Sequence, residues 1–131
     1  IPKPANRVKA MAEINRVLKP GGVFIFTTHD RNANENFLDF WREEKKRWET
    51  GQQDDRLYEF GDRIADSKNE NRDIFIHIPD REEILSCLEE AGFQHVEDFY
   101  RDDEFEESKE VKEITGECRF WVARKEEITN E

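Results

Sequence analysis

The stretch LKPGGVFIFTTHDR, residues 18–31, decides how this chain is read. A proline and two glycines break whatever precedes them, four apolar residues follow without alternation, and the run ends in Thr27, Thr28, His29, Asp30 and Arg31. An unbroken apolar run of that length after a turn signal predicts a strand covered on both faces, as in a sheet flanked by helices. In open α/β sheets, ligands bind beyond the carboxyl ends of such strands. The polar cluster therefore falls where a site wall belongs.

Working outward, ANRVKAMAEINRVL (5–18) places Val8, Met11, Ile14 and Leu18 on one helical face. Pro4 suits the first turn, Lys19 the last, and Pro20, Gly21 and Gly22 the stop. NENFLDFWREEKKRWETG predicts a helix capped by Asn34 and ended by Gly51, with Phe37, Phe40, Trp41 and Trp48 on one face. Residues 52–73 read as a loop with a short strand at RIA, and IFIHI (74–78) as a strand. In PDREEILSCLEEAGF, Asp80 and Glu83 form a capping box, Ile84, Leu85 and Leu88 share a face, and Gly92 is the stop. FQHVEDFYR and ECRFWVARK read as two closing strands. The short acidic connection between them predicts an antiparallel pair.

Composition bounds the partners. The 131 residues suffice for one core, with ten phenylalanines and three tryptophans to fill it. The net charge is -11, and EDFYRDDEFEESKEVKE (97–113) holds nine acids against three bases. Such a surface repels phosphates, so no nucleic-acid partner is expected. The basic cluster Arg42, Lys45, Lys46 and Arg47 is interleaved with glutamates, as on a helix exterior carrying i,i+4 ion pairs. Cys87 and Cys118 have no metal-ligand spacing and sit among apolar neighbours, which suggests core packing in a reduced, cytoplasmic protein. No run reaches the ~20 apolar residues of a membrane span.

EINRVLKPGGVFIFTT, IPDREEILSCLEEAGF and CRFWVARK, in that order, resemble the C-terminal half of class I S-adenosylmethionine-dependent methyltransferases. The resemblance covers roughly residues 5–30 and 78–125. It implies an α/β fold, the C-terminal part of a Rossmann-like sheet with one inner strand and an antiparallel closing pair flanked by helices. Residues 1–131 then form one partial domain, with 32–73 a variable cover and 102–116 a mobile acidic connection. The cofactor implied is S-adenosylmethionine, but the family's glycine-rich turn after a first strand has no counterpart here. Gly21 and Gly22 precede a strand instead of joining a strand to a helix. The expectation is the second half of a methyltransferase acting on a small-molecule acceptor, inactive alone. Its strand Val23–Thr28 would then lack a neighbour and pair with the other half or with a second copy. The rival expectation is a non-catalytic interaction module of the same shape, and an unrelated small α+β domain would require the matches to be chance.

Methyl transfer needs alignment and sometimes proton removal. His29 is the candidate base, because an imidazole accepts protons near neutrality. Thr28, Asp30 and Arg31 emerge beside it as candidate acceptor contacts, with Asp30 orienting His29 or meeting a cationic acceptor. The alternative is a solvated His29 and an Asp30 that caps a turn. His77 is a candidate site residue or a satisfied packing residue, and His95 reads as exposed. Tyr58 and Phe60, in the irregular cover, are candidate acceptor contacts, whereas Phe40, Trp41 and Trp48 read as packing. The three histidines lack metal spacing, and no metal is expected.

Overall fold

The computed structural model describes residues 1–33, 35–67, 72–115 and 118–127. Helix α1 (Pro4–Val17) begins on its proline and ends at Leu18. Gly21 then turns the chain with φ 78°, a backbone region costly for other residues. Strand β1 (Val23–Thr28) leads to a 3₁₀ turn (Glu35–Phe37) and α2 (Leu38–Glu49). β2 (Asp62–Ser67) and β3 (Arg72–His77) form an antiparallel pair of their own. Helix α3 (Arg81–Glu90), β4 (Phe93–Tyr100), the short helices α4 (Arg101–Glu104) and α5 (Lys109–Thr115), and β5 (Arg119–Lys125) complete the order.

The main sheet runs β1-β5-β4, with β5 antiparallel to both neighbours. One face carries the core: Phe93, Trp121 and Ala123 meet Ile84 and Leu88 of α3, with Met11, Ile14 and Leu18 of α1 packed against them. Fully burying one such aliphatic or aromatic side chain stabilises by roughly 1.5–3 kcal/mol. The spacing read from the sequence thus puts the apolar faces of α1 and α3 on this sheet. The α/β class and the antiparallel closing pair stand as expected.

β1 differs from a strand wrapped on both sides. Its exposure alternates, with Phe24 and Phe26 turned to the core and Ile25 64% exposed on the other face. Only β5 pairs with it among the described residues, so its outer edge is open. Among the described residues, the chain supplies cover for one face.

Three local readings change. The helix after β1 begins at Leu38 behind a 3₁₀ turn, and the proposed cap Asn34 lies outside the described residues. The ion pairs Arg42–Asp39, Lys46–Glu43 and Arg47–Glu44 are spaced i,i+3 instead of i,i+4. The acidic connection holds α4 and α5 where no element was expected, and residue 116 lies outside the described residues. Among the described residues no helix is long and apolar enough to cross a membrane.

Candidate functional site

At the carboxyl end of β1 lies a hollow of about 370 Å³. Its apolar walls come from Met11 and Ile14 of α1, Phe24 and Phe26 of β1, and Ile84 of α3. The rings of Phe24 and Phe26 stack at 4.6 Å. Its polar end is made by Arg7, Thr27, Thr28, His29 and His77.

His77 is placed there by pairing. It lies opposite Asp62 in the β2–β3 register, so the two side chains meet as cross-strand neighbours. His77 Nδ1 is 2.7 Å from Asp62 Oδ1, and Nε2 is 2.5 Å from Glu83 Oε1. Asp62 is wholly buried, and its Oδ2 accepts the backbone N–H groups of Tyr58 and Glu59. It therefore fixes the ring, as a buried carboxylate behind a histidine does in many sites. Arg7, from α1, donates through Nη2 to both oxygens of Glu59 and to Glu83 Oε1. Burial pushes the Glu83 carboxyl up, but the His77 hydrogen bond and the charges of His77, Arg7 and Arg31 outweigh it and hold it below its ordinary range.

The five side chains Asp62, His77, Glu83, Arg7 and Glu59 thus join the cover, α3 and α1 at one point. Glu83 was read from sequence as half of a capping box. The helix is capped by Asp80, which accepts from Glu83 N at 2.9 Å, while the Glu83 side chain goes to His77 and Arg7. Ligand atoms of Glu59, His77 and Glu83 lie within 4.8 Å of one another, close enough to hold a metal ion. The cation bonded to the two glutamates here is the Arg7 guanidinium.

The other predicted residues are dispersed. Thr28 and His29 line the hollow, and the Thr28 hydroxyl accepts the indole N–H of Trp121 at 2.9 Å. Asp30 turns inward, 4% exposed, and accepts from Arg119, from Tyr100 and from Asn32 N. Burial pushes its carboxyl up, but these bonds prevail and keep it below the usual range. The Asn32 bond is the turn cap foreseen as the alternative role.

Arg31 is not among the residues that line the hollow. It donates to the Ile78 carbonyl and to Asp80, and its guanidinium lies over Phe60 at 4.7 Å. Phe60 also meets Trp41 edge-on, so it packs the cover. Tyr58 is 55% exposed beneath Lys3. His95, read as exposed, is half-buried and bonded to Asp98 at 2.7 Å.

Arg7, Glu59, Asp62 and Glu83 escaped the sequence reading. The one local signal was the Tyr58–Asp62 run, where a glycine next to an aspartate hints at a tight turn.

No family model matches the sequence, and no curated protein matches it. Solved structures do. One is a SAM-dependent methyltransferase from Methanosarcina mazei, with TM-score 0.65 and 18% identity, matched over 97% of this chain and 54% of that one. Another is a proposed S-adenosylmethionine dependent methyltransferase from Listeria monocytogenes, with TM-score 0.53 and 16% identity, over 92% of this chain and 55% of that one. At this identity the likeness establishes the fold, which is shared with methyltransferases. The chain spans about half the length of these structures.

Proposed function

We propose that the chain is the C-terminal portion of an S-adenosylmethionine-dependent methyltransferase with a small-molecule acceptor, and that it is inactive by itself. The observation that carries this reading is the hollow at the tip of β1, beside a strand whose outer edge is open. The likeness to methyltransferase structures of about twice the length supports it.

The cofactor's grip does not fit the residues present. Gly21 and Gly22 stop a helix, and the positive-φ glycines Gly51, Gly61 and Gly92 lie in turns that do not lead from a strand into a helix. The grip is assigned to a preceding half of the fold, which would add a strand to the open edge of β1. Within this chain, the polar end of the hollow orients the acceptor, with Asp62 holding His77 in place. Thr28 and His29 stand on the β1 side of the same wall.

A second reading is favoured by Val23 and Ile25, exposed on β1 beside its unpaired edge: a non-catalytic module that binds a partner chain there. Calorimetry with S-adenosylmethionine on this chain, and on a polypeptide in which a glycine-rich strand–turn–helix precedes it, separates the two. The enzyme reading expects binding by the longer polypeptide alone. Tight binding by this chain would overturn the assignment of the grip, and no binding by either would leave the module.

A further inference from the structure

We infer that the hollow at the tip of β1 receives an acidic acceptor, a small molecule joining a carboxylate to an apolar or aromatic body, and that Arg7 takes the carboxylate in exchange for Glu59. The inference rests on reading the hollow as the acceptor site.

The chain has 32 acidic residues against 21 lysines and arginines, yet among the described residues no acidic side chain lines this hollow. Its ionisable wall is Arg7, His29 and His77, and the remainder is largely apolar, with the stacked Phe24 and Phe26 rings offering a flat surface. A ligand with one anionic end and one apolar end matches this division. An ammonium ligand would meet only cationic and neutral groups on these walls.

The donors already have counter-ions behind them, so an added anion must be accommodated by exchange. Asp62 is wholly buried and tied by three hydrogen bonds, and the Glu83 carboxylate is held by His77 as well as Arg7. Glu59 is different. Both of its oxygens meet one nitrogen, Nη2 of Arg7, which is not the two-nitrogen fork that guanidinium–carboxylate pairs favour. Its side chain stays 21% exposed, on the connection between α2 and β2. Among the described residues Arg7 Nε makes no hydrogen bond, so its Nε–Nη2 edge can present that fork to a ligand. The swap replaces one carboxylate by another at Arg7 and returns Glu59 to water, leaving the local charge unchanged.

The test uses this chain with three probes of one shape: phenylacetate, phenylacetamide and phenethylamine, followed by NMR titration. Phenylacetate should bind roughly tenfold more tightly than the amide, and the amine should not bind. Glu59→Gln should tighten phenylacetate several-fold by removing the competitor, whereas Arg7→Met should weaken it roughly tenfold, and neither should move the amide. The opposite signs separate recognition from support, because two residues that merely hold the fold would shift binding in the same direction. Should Arg7→Met fail to fold, Ala10→Phe, which fills the hollow from α1, must abolish phenylacetate binding.

Equal affinity for acid and amide, preference for the amine, no binding of any probe, weakening by Glu59→Gln, or unchanged binding in Ala10→Phe would each overturn the inference. Loss of acid preference leaves cofactor binding by the longer polypeptide to decide methyl transfer. Acid binding without cofactor binding ends the enzyme reading and keeps the site.

Discussion

Gly61 sits at φ 105°, and a Cβ there would lie 2.5 Å from Arg31 Nη1 and 2.8 Å from His77 Cε1. Gly61→Ala should therefore cost about 2–3 kcal/mol, read by urea denaturation, through backbone strain and displacement of the His77 ring. Asp30 governs a different property. Its carboxyl is held below the ordinary value, as is that of Asp98, where burial is outweighed by hydrogen bonds from Arg81 and His95. A group whose folded pKa lies below its unfolded value, about 3.9 for aspartate, stabilises above the unfolded pKa. That stability is lost as pH falls through the folded pKa. The urea midpoint should stay level from neutrality to about pH 5 and then fall, and Asp30→Asn should flatten the fall. The same substitution should cost roughly 3 kcal/mol at neutral pH, because Arg119 loses a buried partner. The arginine partnerships were not visible locally. Arg119 stands 89 positions from Asp30, and Arg7 76 from Glu83. Residue type named Asp30 and His77 as candidates, but only the folded chain separates a carboxylate that braces the sheet from a histidine that faces the hollow.

At the scale of elements, periodicity carried most of the fold. α1, α3, β1 and the closing pair lie where apolar spacing and glycine stops put them, since each must lay one face on the same core. The cover was harder to read because its strands pair with each other and not with the main sheet. α4 and α5 are too short for an apolar repeat to mark them. The open edge of β1 has a consequence at this scale. Ile25→Lys should change the stability of the isolated chain by no more than about 0.5 kcal/mol, because Ile25 is already exposed. It should abolish concentration-dependent association in sedimentation velocity, because a charge on a flat edge blocks strand addition. A wild-type chain that stays monomeric at high concentration would remove the case for pairing with a second copy.

At the scale of the molecule, charge and attachment set behaviour. With a net charge of -11, the chain should not retard tRNA or duplex DNA in a gel at ~0.15 M salt. Retardation that weakens as salt rises would reverse that expectation. Polar ties join the cover to the body: Arg7 to Glu59, His77 to Glu83, and the Arg31 guanidinium over the Phe60 ring. Charge pairs of this kind orient parts more than they stabilise them, since each cation and anion gives up water to form one. Net charge was legible from composition, whereas the attachment of the cover was not.

Trp121, wholly shielded from solvent, donates its indole N–H to Thr28 and stacks on Phe26, two residues that line the hollow. A fluorophore is thereby built into the floor, and its emission should shift whenever a guest disturbs that hydroxyl or that ring. Converting Trp41 and Trp48 to phenylalanine would leave Trp121 as the single tryptophan, so occupancy could be followed optically without a label.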